Sequence, residues 1–181
     1  MVLPIGPLMI EHRLIERMIA LMKKELVNIK ETRKINLVFI DDAVNFIQSY
    51  ADRCHHGKEE DILFKELSKK DLSSEHKKIM NELIEEHKWG RKITKELIEA
   101  KKMFTAGNVN SLKKIIQLLE ELIDFYPKHI EKEDKHFFKP VMDYFSKEEL
   151  NNLLEVEYAF DKNFIHKIYQ DKITSYEKKI T

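Results

Sequence analysis

Apolar residues recur along the chain at helical spacing in four long runs and a fifth segment. Pro7 suits the first turn of a helix. After it, Leu8, Ile15, Ile19, Met22 and Leu26 share a face, with Lys and Glu between them, toward an end near Thr32. A second run starts around Lys34 and carries Val38, Ala43, Phe46, Ile47, Tyr50 and Cys54. It continues past Gly57 through Ile62, Leu63 and Phe64. Glycine costs about 1 kcal/mol against alanine in a helix interior, which makes Gly57 a place for a local kink. Asp71-Leu72-Ser73-Ser74 reads as a turn and N-cap. The third helix runs through Ile79, Leu83, Ile84, Ile93 and Leu97 toward Phe104, with Gly107-Asn108 as its stop. A fourth starts at Asn110 or Ser111 and follows Ile115, Leu118, Leu119, Leu122 and Phe125 to Phe138. Pro127 is predicted to kink it, and Pro140 lies near its end. Ser146-Lys147-Glu148-Glu149 has the form of a capping box and opens the fifth segment, with Leu150, Leu153, Leu154, Phe160, Phe164, Ile168 and Tyr169. Long helices joined by short loops predict an all-α fold: an antiparallel up-down-up-down four-helix bundle over residues 1–145. Residues 146–181 are read as a C-terminal helical extension packed on the bundle.

Composition narrows the function classes. Four Gly and four Pro in 181 residues are too few for a β-sandwich or barrel. Lys+Arg and Asp+Glu both number 32, so no whole-chain charge favours nucleic acid or an anionic membrane. The single Cys leaves no disulfide framework and sets the expectation against a thiolate zinc or iron–sulfur site. No apolar run approaches the roughly 20 residues of a membrane span, and no basic-then-apolar leader is visible. The expectation is a cytoplasmic protein with no nucleic-acid or membrane partner. No nucleophile–base pair, phosphate loop or dinucleotide fingerprint stands out, which gives hydrolase and dehydrogenase readings little support.

Eight histidines remain, and their placement carries chemistry. His55-His56-Gly57-Lys58-Glu59-Glu60-Asp61-Ile62-Leu63-Phe64 in the second helix echoes His129-Ile130-Glu131-Lys132-Glu133-Asp134-Lys135-His136-Phe137-Phe138 in the fourth. Counted from the first His, both place Lys at +3, Glu at +4 and Phe at +9. An i, i+4 pair lies on one helix face, so His55 with Glu59 and His129 with Glu133 each offer an imidazole and a carboxylate to one point. His12, between Leu8 and Ile15, and His87, after Leu83 and Ile84, sit in apolar stripes of the first and third helices. Four imidazoles and two carboxylates, with no thiolate, suit two iron ions bridged by the carboxylates, each with a position open for dioxygen or nitric oxide.

These residues resemble the hemerythrin-like, HHE cation-binding, domain family. The likeness rests on Glu11-His12-Arg13, on the two echoing segments and on Glu86-His87-Lys88-Trp89-Gly90-Arg91, and it spans roughly residues 8 to 145. It implies a non-haem di-iron centre in a four-helix bundle. Roles in that family range from oxygen carriage and redox sensing to nitric-oxide handling and repair of damaged iron centres. The oxygen carriers have HxxxH on their third helix, whereas the positions four from His87 are Leu83 and Arg91, so a fifth His is missing there. The carriers also use HxxxxD on the fourth helix; Asp134 has that spacing from His129, but the echo favours Glu133.

Several readings stay open. His56 with Glu60 is a rival register for the second helix; adjacent residues point about 100° apart, so one pair is expected to face the core. His136 is a candidate neighbour of the site. His76 and His166 are read as surface residues. Cys54 is read as a small buried hydrophobe, and Tyr50, Tyr126 and Trp89 as core. The leading function is a di-iron protein that binds, senses or reacts with dioxygen, nitric oxide or redox state, served by a redox partner protein. The alternatives are iron storage or donation for repair, and a structural or regulatory bundle with incidental metal.

Overall fold

The computed structural model describes residues 2–161 and 165–180 of the chain. Helix α1 spans Ile5–Thr32 and ends where Arg33 adopts a left-handed backbone (φ 59°) and donates its N–H to the Ile29 carbonyl. Helix α2 covers residues 37–67 and opens where the Asn36 side chain accepts the Phe39 N–H. Helix α3, Ser74–Thr105, opens on Ser73, whose hydroxyl accepts the His76 N–H. It closes before Gly107, at φ 96°. Helix α4 covers residues 111–144 and passes through Pro127 inside its regular α-helical stretch. Helix α5, Lys147–Phe160, carries the capping box formed by Ser146 and Glu149. Helix α6 is Ile165–Ile180. The fifth segment is therefore two helices, and Phe164, read as part of its apolar face, lies outside the described residues. All six elements are helical, and the first four form the antiparallel bundle.

Two of the helices are not α-helical throughout. In α2 the turns of Ile47–His56 and Glu59–Phe64 are π-helical, and in α4 so are those of Glu133–Phe137. A π turn closes i→i+5 hydrogen bonds, is wider than an α turn, and is frequent at functional sites. Gly57 does not sit at a bend imposed by its own conformation; its backbone is ordinary right-handed helix. Its missing side chain admits α5 instead, since a Cβ there would lie 3.2 Å from Cζ of Phe160.

The core is split in two. One apolar cluster includes Ile15, Met18, Met22, Phe46, Leu97, Leu118 and Leu122, with Tyr169 and Ile173 of α6 packed into it. The other includes Leu8, Leu63, Leu83, Phe137 and Val141, with Leu150 and Leu153 of α5. Each of the four bundle helices crosses from one cluster to the other through a buried polar layer. Leu118 is fully buried in the first cluster, away from that layer. Leu118→Ala is expected to lower unfolding free energy by about 2–5 kcal/mol, the cost of lost transfer energy plus a cavity, with helicity retained. Denaturant titration followed by circular dichroism checks this.

Candidate metal centre

The polar layer is made of His12 from α1, His55, His56 and Glu59 from α2, His87 from α3, and His129 and Glu133 from α4, all buried. The six side chains singled out in the sequence meet here. Glu59 Oε1 lies 3.2 Å from His55 Nε2, and its Oε2 lies 3.3 Å from His87 Nε2. Glu133 Oε2 lies 3.1 Å from His12 Nε2, and its Oε1 lies 3.3 Å from His129 Nε2 and 3.7 Å from His87 Nε2. Each carboxylate thus turns one oxygen to the His12/His55 side and one to the His87/His129 side. None of these close approaches has hydrogen-bond alignment. One nitrogen of each of the five imidazoles and all four oxygens of Glu59 and Glu133 are buried without a hydrogen-bond partner. Buried polar atoms are almost always satisfied, so eight such atoms converging in one layer, all but His56 Nδ1, which faces Asp52 Oδ1 at 3.4 Å, are what a cation-binding centre presents.

Two ligand groups can be drawn through the layer: His12, His55, Glu59 and Glu133 form one, and His56, His87 and His129 the other. In α2 the two candidate registers are not exclusive for the histidines. His55 and His56 are both buried, His56 stacking on the His87 ring at 3.8 Å, because the helix is π-wound through both residues and its wider turn brings neighbours closer to one face. The fifth imidazole, looked for on the third helix, comes from the second. Glu60 stays outside the layer, as a partner of His87 Nδ1.

Four of the five imidazoles are held from behind by a ring of carboxylates. Glu11 of α1 pairs with His55 Nδ1 of α2 at 2.8 Å, and Glu60 of α2 with His87 Nδ1 of α3 at 2.7 Å. Glu86 of α3 pairs with His129 Nδ1 of α4 at 2.8 Å, and Asp134 of α4 with His12 Nδ1 of α1 at 2.8 Å. Every helix gives an acid to the next and receives one, and the ring closes. A cation backs each acid: Lys58 on Glu11, Arg91 on Glu60, Lys132 on Glu86 and Arg13 on Asp134. In the neutral ring, Nδ1–H donates to the carboxylate and Nε2 turns its lone pair toward the centre. The echo now has a physical meaning. Its Lys binds the acid of the preceding helix, and its Phe covers an imidazole of the following one: Phe64 lies against His87 at 6.1 Å and Phe138 against His12 at 5.6 Å.

Electrostatics follow from this packing. Burial pushes the His55 imidazole down, but the Glu59 and Glu11 carboxylates outweigh it and hold its pKa up at about 10. Burial likewise opposes His87, which Glu133, Glu60 and Glu59 hold at about 9. His56 falls well below the ordinary range, through burial and then the neighbouring His87, His129 and His55. Burial raises the Glu133 carboxyl, yet His129, His12 and His87 together take it well below the usual value.

The remaining candidates fall elsewhere. His136 is exposed and stays out of the layer. His76 pairs with the Tyr144 hydroxyl at 2.9 Å. Cys54, Tyr50 and Tyr126 are buried, and Trp89 is partly buried against Phe125. His166, read as a surface residue, keeps 35% of its side chain accessible while its ring meets Tyr50, Asp161 and Glu11. The sequence carried no signal for the supporting acids beyond their place beside a candidate ligand, since their partners lie on other helices.

No helix among the described residues is long and apolar enough to cross a membrane. No curated protein and no solved structure matches the chain. The family described as the hemerythrin HHE cation-binding domain matches residues 3–154, a stretch that holds every residue of the polar layer and of its ring of acids. With four bundle helices and a buried layer of five imidazoles and two carboxylates already in view, the match leaves one conclusion: this chain belongs to the hemerythrin HHE cation-binding domain family.

Proposed function

We propose that the layer holds two iron ions bridged by Glu59 and Glu133, and that through them the protein binds, senses or reacts with dioxygen, nitric oxide or redox state, in exchange with a redox partner protein. The observation that carries this reading is the unequal division of the donors. His12 and His55 supply two imidazoles on one side; His56, His87 and His129 supply three on the other. Hard carboxylates with borderline imidazoles and no thiolate favour iron among the common ions. Bound iron supplies a change of oxidation state and a free coordination position for a small molecule.

The chain's own residues define where that position falls. In the echo of α2 and α4, His56 corresponds to Ile130, a buried apolar side chain. The His12/His55 side therefore lacks the third imidazole and keeps a place free. Phe138, stacked on His12, helps to exclude water from that side. The carboxylate ring fixes His12, His55, His87 and His129 in the orientation that presents Nε2 inward. A cavity of about 70 Å³ lined by Asp52, His56, Gly90, Arg91 and Tyr126 reaches the other side and has the scale of a small molecule.

Protein purified from iron-replete cells is expected to carry about two iron ions per chain, with charge-transfer absorption that changes reversibly when the reduced form meets dioxygen or nitric oxide. A one-metal, zinc-only protein that iron reconstitution leaves unaltered would overturn the reading. His55→Ala is expected to lose at least one iron. His56→Ala is expected to keep both with an altered spectrum, because that side retains His87, His129 and both carboxylates. His136→Ala, at an exposed position, serves as the unchanged control.

Loading is also expected to release protons. Metal binds neutral imidazole, whereas His55 and His87 stay protonated in the metal-free protein until the pH passes about 10 and about 9. Apparent affinity should rise with pH through neutrality, level off above those values, and fall on acidification. Calorimetry in buffers of different ionisation enthalpy, expected to show release of about two protons near pH 7, checks the sign.

A further inference from the structure

One corner of the carboxylate ring differs from the other three. Arg13, Arg91 and Lys132 back their acids from partly exposed positions, with side chains 54%, 38% and 27% accessible. Lys58, which backs Glu11, is completely buried and also pairs with Asp161 at 2.7 Å. Around it lie a thiol, a second imidazole and two further carboxyl groups, brought by α2, by α5 with the residue that follows it, and by α6.

We propose that Glu11, Cys54, Asp161 and His166 form a second metal site, separate from the bundle centre, for one divalent transition ion of borderline softness. The four ligand atoms lie within 4.8 Å of one another, about twice a metal–ligand bond of roughly 2.0–2.3 Å. His166 Nε2 is 3.5 Å from Glu11 Oε1, 3.3 Å from Asp161 Oδ1 and 4.0 Å from Cys54 Sγ; Cys54 Sγ is 3.4 Å from Asp161 Oδ1. In the tautomer that donates from Nδ1 to the Tyr50 hydroxyl, at 3.1 Å, His166 turns the lone pair of Nε2 to the cluster. One sulfur, one nitrogen and two carboxylate oxygens select zinc, ferrous or cobaltous ions over magnesium or calcium.

An independent feature points the same way. Glu157 of α5 is fully buried, neither of its oxygens has a hydrogen-bond partner, and its electrostatic neighbours are Lys58, Glu11, Asp161 and Glu59. Buried polar atoms are almost always paired, and a cation held by the cluster would give the Glu157 carboxyl the partner it lacks. A cavity of about 400 Å³, lined in part by Glu11, Tyr50, Asp161 and His166, gives the ion a route from solvent. Glu11 would touch both sites, one oxygen on His55 and the other on the second ion. The sequence sets the single Cys against a thiolate site, because the His and Asp that complete it lie more than 100 residues away in the chain.

The site does not depend on what the bundle centre binds, and the test keeps the two apart. Cys54 is the chain's one cysteine, and the bundle centre has no thiolate, so a thiolate-to-cobalt charge-transfer band can arise only here. Titrating the full-length protein with Co²⁺ should give a near-ultraviolet band that saturates at one ion per chain. The band should vanish in Cys54→Ser and weaken by about tenfold or more in apparent affinity in His166→Ala and Asp161→Asn. It should persist in His87→Ala, which removes a donor from the bundle centre only. Lys58→Met should bind cobalt more tightly. Absence of the band in the wild-type protein, or a band indifferent to both His166→Ala and Asp161→Asn, would overturn the proposal.

Discussion

Eight buried nitrogen and oxygen atoms without a hydrogen-bond partner, gathered in one layer, are the constraint to which the rest of this protein responds. Left unsatisfied, each such group costs on the order of 1–3 kcal/mol, and more if charged. The fold carries that cost by placing the layer between two apolar clusters and by fixing four of the five imidazoles from behind. The fixing is done four times in one way: an acid on one helix, an imidazole and a cation on the next. The acids are Glu11 and Glu86, each immediately before an inward His, and Glu60 and Asp134, each immediately after an inward Glu. A helix therefore places a centre-facing group and a supporting group at adjacent positions, one turned into the layer and one turned to its neighbour.

The two halves of the bundle repeat each other in this respect, and the departures from the repeat carry the specific chemistry. His56 has no imidazole counterpart on α4, where Ile130 stands, and this makes the two sides of the centre unequal. The corner at Glu11 is the other departure. There α5 and the residue that follows it bring Glu157 and Asp161, and α6 brings His166, onto a buried lysine and a thiol. Both C-terminal helices also contribute apolar residues, α5 to one cluster and α6 to the other, and His166 of α6 meets the Glu11 corner of the carboxylate ring.

Helical winding decides which residues reach the layer. In ordinary α-helix His55 and His56 would diverge by about 100°. Among the described residues π turns occur only in α2 and α4, in the stretches that carry His55, His56, Glu59 and Glu133. Such turns loosen the backbone ladder locally, and here they coincide with Glu59 and Glu133, the two carboxylates that must face both sides at once.

The sequence by itself determined the bundle, because apolar stripes of period 3.6 can be buried only by packing helices together, and it marked Ser73 and Ser146 as helix starts. It also brought six polar residues to attention, since His and Glu interrupt apolar stripes at the same depth on four helices. Only the tertiary structure decided the fifth imidazole, because a 3.6-residue period does not describe a π-wound segment. The structure alone also decided which acid supports which histidine and which distant residues surround Cys54. Those pairings depend on how helices lie beside one another, and spacing along one helix carries no information about its neighbour's rotation or height.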